Sequence, residues 1–203
     1  MIPSPIECLN IMDKYRMLDN IKAHSLMVAR VAYLIGTSAA LKAPHISVDL
    51  VLAGALLHDI GKTESLRNGG DHVEIGQKIC RIEGLAEVEP IVAEHVVLKS
   101  FVKEGEITEK EIVYYADKRV NHDQVVSLKK RLEYILERYG CGNPKVEDLI
   151  IRNFNVCSQV EEKLFQYLEF EPSDIEHLAP MIELPLNGQG YWQGKGKSLN
   201  NMG

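Results

Sequence analysis

No apolar run in this chain of 203 residues approaches the roughly 20 residues needed to span a bilayer. The opening segment, MIPSPIECLN, has neither the basic start nor the apolar stretch of an export signal. Cysteine is sparse: Cys8, Cys80, Cys141 and Cys157 are scattered, with no CxxC pair among them. The expectation is a cytoplasmic protein whose thiols stay reduced and which has no membrane partner. Positive charge is not in excess either, with 23 Lys+Arg against 29 Asp+Glu and a formal charge of -6. Sequence-blind binding to nucleic acid runs on Lys/Arg–phosphate contacts, so this balance argues against it. A local basic patch around a small phosphorylated ligand remains compatible with it. Strand patterning is also missing, since no stretch of five or more residues alternates convincingly.

What the chain does have is ordinary globular composition, 45% apolar and 26% charged, and enough length to bury a core without staples. Its patterning is helical, and the fold class expected is all-α. Ile21, Val28, Val31 and Ile35 form one stripe in a helix from Leu18 to Leu41, ended by Pro44. Ser47 caps a second helix, Val48 to about Ile60, which is apolar nearly all round and so belongs at the centre of the fold. Residues 63–71 read as a polar loop. Asp71 caps a third helix to about Glu83, stopped by Gly84. A fourth spans about Glu87 to Leu98, with Pro90 in its first turn. Thr108 and Glu111 form a capping-box pattern that opens a fifth helix to about His122. Ser127 caps a sixth, ending at Tyr139-Gly140. Asn143-Pro144 opens a long helix to about Leu168, and Ser173 caps a short last one. Residues 144–183 either complete the bundle or supply a homodimer face. The stretch 184–203 is glycine-rich with only two charges and reads as a flexible tail, in which Tyr191-Trp192 could dock on the body or on a partner.

Several polar side chains stand where apolar ones belong. His24 shares the stripe of Ile21 and Val28. The second helix ends abruptly in His58-Asp59, ahead of Ile60-Gly61-Lys62. A buried Asp beside a buried His is costly unless compensated, and a divalent cation compensates by taking an imidazole nitrogen and a carboxylate oxygen. An Asp–His hydrogen bond without metal is the alternative. Asp117 lies on the stripe of Val113 and Val120; its plainer reading is pairing with Lys118 or Arg119, whose positions face other directions. His95 lies with Ile91 and Leu98, and His72 opens the third helix four residues before Gly76, whose small size lets that helix approach closely. Each of these histidines alone fits a satisfied structural role equally well. His45 and His177 read as surface residues, and His122 has no assigned role. Lys129, Lys130 and Arg131 read as a solvated helix face paired with Glu133 and Glu137, or as a rim for a polyphosphate.

The order His24, His58-Asp59, Asp117, with His72 and His95 between, resembles the HD superfamily of metal-dependent phosphohydrolases. The strings NIKAHSLMVARVA (20–32), LLHDIGK (56–62) and IVYYADKRV (112–120) carry the resemblance, which covers about residues 18–125. It implies an HD helical core over 1–125; the additional helices over 126–183 and the tail over 184–203 lie outside the resemblance and rest on the patterning alone. It also implies that His24, His58, Asp59 and Asp117 bind one divalent ion. His72 and His95 occupy the places that hold a second ion, with Asp59 shared. The ion would be Mn, Fe, Co, Ni, Zn or Mg, the mixed nitrogen and oxygen donors suiting the first five better than Mg alone.

Asp59 and Lys62 are the catalytic candidates, with Lys62 and Lys118 contacting the substrate's phosphate. Glu64 or Glu94 would shuttle protons. The expected function is hydrolysis of a nucleotide or other small phosphate ester by metal-activated water. The alternative is a non-catalytic metal- or nucleotide-binding regulatory module. The GYP signature of cyclic-dinucleotide hydrolases is absent after the HD pair, and the Glu-Asp pair of alarmone hydrolases is replaced by Gly61-Lys62-Thr63. The chain looks closer to small stand-alone HDIG proteins, among them hydrolases of dinucleoside polyphosphates. Its segments 20–32 and 112–128 also resemble HD domains joined to nucleotidyltransferases.

Overall fold

A computed structural model describes residues 1–99 and 101–186. The expected flexible tail and the Tyr191-Trp192 pair lie outside the described residues from position 187 onward. The elements are α1 (Pro5–Lys14), α2 (Asp19–Ala40), α3 (Val48–Leu57), α4 (Lys62–Asn68), α5 (His72–Ile82), α6 (Glu89–Glu94) and α7 (Glu109–Lys118). A hairpin of β1 (Val120–Asn121) and β2 (Gln124–Val125) follows, then α8 (Leu128–Ile135), α9 (Pro144–Phe165) and α10 (Ile175–Leu178). The all-α expectation holds, with two-residue strands the only sheet among the described residues.

Local chemistry sets most boundaries. Ser47, Asp71, Ser127 and Asn143 each accept a backbone N–H of the helix they precede, as N-caps do. Thr108 and Glu111 form the reciprocal capping box expected of them. The same box, Ser4 with Glu7, opens α1, in which Pro5 takes the first helical position. The sequence reading passed over this helix.

Four further expectations need correction. The polar stretch after Lys62 is a helix, α4, because it continues the HD turn without a break and caps its end with Gly69 in a left-handed conformation (φ 80°). The fourth helix is short, Glu89–Glu94, and ends where the His95 ring donates from Nδ1 to the Val92 carbonyl. The fifth helix stops at Lys118 rather than His122, because residues 120–125 form a tight hairpin with His122 at φ 55°. Ser173 lies inside a 3-10 turn, Pro172–Asp174, that Glu171 caps instead.

The centre is α3, whose residues from Val51 to Leu57 are all buried. It packs between α2 and α7, with α1 and α6 against its remaining faces. Close approach relies on missing side chains. A Cβ at Gly36 would sit 3.2 Å from Val51, and one at Gly54 would sit 2.6 Å from Ile91. The C-terminal ends of α3 and α6 are thereby brought side by side. Helix α9 lies over α7, with its Phe154, Cys157, Val160 and Leu164 buried, and α8 packs back against α9.

Candidate metal centre

Six side chains from five elements and their ends meet at one point. α2 delivers His24, the end of α3 delivers His58 and Asp59, α5 opens with His72, the end of α6 delivers His95 and α7 delivers Asp117. The ring centroids of His24, His58, His95 and His72 follow one another at 5.4, 5.1 and 5.3 Å. The Asp59 carboxylate lies along this row. Its Oδ2 faces His58 Nε2 at 3.6 Å and His24 Nε2 at 4.0 Å. Its Oδ1 faces His95 Nε2 at 3.4 Å and His72 Nε2 at 3.7 Å. Asp117 Oδ1 joins the first half, 3.0 Å from His24 Nε2 and 3.6 Å from His58 Nε2.

Orientation of the rings is fixed from behind. Nδ1 of His24 donates to the carbonyl of His122 at 2.7 Å. Nδ1 of His58 donates to Ala55 O, and Nδ1 of His95 to Val92 O, both at 2.8 Å and both three residues back along the chain. A ring whose Nδ1 carries the proton presents a lone pair on Nε2, which is the arrangement a metal-binding imidazole needs. The two helix-end histidines thus repeat one local device: the last turn's free carbonyl, otherwise unsatisfied, holds the ring that follows it.

Gly61 closes the second half. A Cβ there would lie 2.2 Å from the carbonyl oxygen of His72 and 2.5 Å from the nitrogen of Gly76. Only glycine lets the HD turn touch the first turn of α5. Gly76 makes the matching approach, as its place four residues after His72 predicted.

The electrostatics are those of a crowded polar site in an apolar shell. Burial lowers the His58 imidazole to about 3, against the pull of Asp59 and Asp117. Burial lowers His72 as well. Burial alone would raise the carboxyls of Asp59 and Asp117. Instead His58, His95 and Lys62 hold Asp59 well below the usual carboxylate range, and Lys118 with His24 does the same for Asp117. Two carboxylates held ionised beside the lowered imidazoles of His58 and His72 make a ligand set for a cation.

The fit to a metal can be tested on one atom. Nε2 of His58 is buried and has no hydrogen-bond partner among the described residues. Orphaned buried polar atoms are rare and call for a partner. The separations of 3.4–3.7 Å around it and around Asp59 exceed a hydrogen bond. Bonds of about 2.0–2.2 Å to one ion place neighbouring ligand atoms about 3.0–3.6 Å apart. The residues therefore fit a divalent metal, in two groups that share Asp59: His24, His58 and Asp59, and Asp59, His72 and His95. Asp117 adjoins the first.

The lysines divide. Lys62 opens α4 and its ammonium donates to Asp59 Oδ2 at 2.8 Å while its side chain stays 40% exposed. Burial would lower its pKa, but Asp59 more than offsets this and keeps it charged. Lys118 is buried, and its ammonium donates to Asp117 Oδ2 at 3.1 Å and to the carbonyl of His95, over the Tyr114 ring. Its place on the helix pointed away from Asp117, but its long chain curls back to brace the carboxylate from behind. Glu64 is exposed and accepts from Asn68, and Glu94 accepts from Lys110 and from the Lys99 backbone. His45 and His177 are exposed, as expected. The sequence did not signal the role of His122, whose backbone carbonyl, not its ring, serves the site.

The sequence profile of the HD domain matches residues 21–121. An uncharacterized protein of Methanocaldococcus jannaschii is 27% identical over 66% of this chain and 86% of its own length. A tRNA (cytidine(56)-2'-O)-methyltransferase of Thermoplasma volcanium is 35% identical over 68% of this chain but 45% of its own length. A ribonuclease Y of Mesoplasma florum is 33% identical over 68% of this chain and 24% of its own length. The chain thus spans less than half the length of the methyltransferase and about a quarter of the ribonuclease. No solved structure matches it significantly. The ordered convergence of His24, His58-Asp59 and Asp117 within the matched segment agrees with the profile, and the chain belongs, through residues 21–121, to the HD superfamily.

Proposed function

We propose that the chain is a divalent-metal-dependent phosphohydrolase acting on a nucleotide or other small phosphate ester. The observation that carries this reading is the two-sided Asp59 carboxylate, with lone-pair-bearing Nε2 atoms facing both of its oxygens and one of them, on His58, left unpartnered. His24, His58, Asp59 and Asp117 would hold one ion, and Asp59, His72 and His95 a second. A bound divalent ion supplies charge neutralisation for phosphoryl oxygens and acidifies water toward neutrality.

The chain's own residues do the rest. Lys62 stands at the solvent side of Asp59, where its free N–H groups can bind a phosphoryl oxygen and stabilise charge as it grows. The three backbone carbonyls hold their imidazoles in one tautomer, so no proton is lost to reorientation. Lys118 keeps Asp117 ionised and aimed. The surrounding apolar residues of α2 and α3 exclude water and strengthen each of these interactions.

The test is metal analysis of the purified protein, then phosphate release from phosphomonoesters, cyclic nucleotides and dinucleoside polyphosphates after reconstitution with Mn or Zn. Retained metal and turnover of at least one substrate are expected, with Asp59→Asn removing both. A protein that binds metal but turns over nothing would instead be a regulatory module. The names of two relatives favour a second reading, a phosphodiesterase acting on RNA, against which stands the charge of -6. An oligoribonucleotide added to the same panel separates it.

A further inference from the structure

Arg119, the residue after Lys118 at the end of α7, is 1% exposed and the largest fully buried side chain among the described residues. Enclosing a guanidinium is costly unless its donors are met, and here they are spread over three separate stretches of chain. Nε donates to Val126 O at 2.7 Å, Nη1 to the Tyr115 hydroxyl at 2.6 Å and Nη2 to Pro172 O at 2.9 Å. The Glu161 carboxylate lies 3.5 Å from Nη1. Val126 is gripped twice, because its N–H also donates to the Arg119 carbonyl at 2.7 Å.

Between Arg119 and Val126 runs the hairpin of β1 and β2. Val120 pairs with Val125 and Asn121 with Gln124, which leaves His122 and Asp123 at the tip. His122, at φ 55°, is left-handed. A left-handed residue other than glycine is uncommon and persists where its surroundings hold it. The hairpin is held at two points: Arg119 closes its base, and Arg131 donates to Asn121 Oδ1 at 2.8 Å. The tip matters because the His122 carbonyl accepts from His24 Nδ1 at 2.7 Å. His58 and His95 take their acceptors from their own last turns, three residues back. Of the three rings, only that of His24 depends on a separate segment.

We infer that Arg119 is a positioning residue of the metal centre, holding the hairpin whose tip carbonyl aims the His24 Nε2 lone pair at the ion. The inference rests on the metal site of the proposed function and not on its chemistry at phosphate. Groups that orient a ligand from behind carry about 10–100-fold in metal affinity. Arg119 touches no ligand side chain in this account; it acts through the backbone of Val126 and the turn that follows from it.

The experiment reads imidazole N–H protons by NMR of the 15N-labelled full chain with zinc added. The wild type is expected to show Nδ1–H resonances of His24, His58 and His95 protected from exchange with water. Arg119→Met removes every donor and keeps an unbranched chain in the space. Buried ionic groups often tolerate apolar replacement of similar volume, and Glu161, 25% exposed, is left to solvent. In this variant the His24 resonance is expected to exchange freely while those of His58 and His95 stay protected. Zinc affinity, read by competition with a chelator, should fall about tenfold or more. A His24 resonance that stays protected, loss of all three together in a folded protein, or unchanged zinc affinity overturns the inference. So does a wild type without the protected His24 resonance or without bound zinc. Where Arg119→Met fails to fold, Tyr115→Phe removes one acceptor of the guanidinium and should speed exchange at His24 alone; unchanged exchange there overturns the inference as well. The phosphohydrolase reading is judged separately, by phosphate release across its own panel.

Discussion

His58 shows how one side chain can report on the state of the site. Its imidazole is lowered by burial to about 3, whereas an unfolded histidine titrates near pH 6.5. Below pH 6.5 the unfolded chain takes up a proton there that the folded chain refuses. The contribution to stability is therefore complete above pH 6.5 and declines as the pH falls toward 3. His72, lowered for the same reason, acts with the same sign. Asp59 and Asp117 are held down, so their contribution is present above about pH 4 and is lost only below it. Between pH 6.5 and 4.5 the histidines set the slope. The urea midpoint of EDTA-treated protein should fall across that window, and His58→Asn should flatten the fall. An unchanged slope in that variant would show that burial of His58 is not its source.

Gly61 belongs to the contact between two elements, the turn after α3 and the first turn of α5. An added methyl would lie 2.2 Å from a backbone oxygen and 2.5 Å from a backbone nitrogen, and neither can rotate away. Gly61→Ala should cost the upper part of the 1–3 kcal/mol usual for overpacking, or more. Gly76→Ala should cost less, because it meets the movable Val92 side chain at 2.7 Å. Thermal unfolding of both variants checks the order, and a Gly61→Ala midpoint equal to wild type would refute the contact. The same elements show what sequence can carry. Caps such as Ser47, Asp71 and Thr108–Glu111 are local, so they could be read directly. The inward histidines and aspartates could be read because a polar residue on an apolar stripe is conspicuous. α4 could not, since KTESLRN has no apolar period and its helix is an extension of the HD turn. The carbonyls behind His24, His58 and His95 could not either, because a backbone acceptor has no letter of its own. For His58 and His95, a position at the end of a helix was the one available hint. Lys118 was misplaced because position on a helix does not fix where a four-carbon chain ends.

The HD segment does not stand by itself in this molecule. Helix α7, which carries Asp117, is buried on both sides, by α3 within the matched segment and by α9 beyond it. Tyr114 donates to the backbone and side chain of Asn153, and Tyr115 to Glu161. Arg119 is fully enclosed and donates to Val126 O, the Tyr115 hydroxyl and Pro172 O. The deepest of these links is the ion pair of Lys163 on α9 with Glu111 on α7, 2.7 Å long with both side chains about 5% exposed or less. Lys163 also donates to Val102 O, while Glu111 accepts from the backbone of Thr108 and so caps α7. Removing one member of such a pair strands the other charge, which costs about 3–5 kcal/mol. Lys163→Met should therefore lower stability by about that much. Lys163→Met combined with Glu111→Gln, which keeps an acceptor for the cap but no charge, should cost much less than the two single changes summed. Urea unfolding of the four proteins in the cycle measures the coupling. Additive losses would mean that α9 merely covers α7. The expected coupling means that the helices outside the HD segment hold the helix that presents Asp117, and so belong to the site as much as its ligands do.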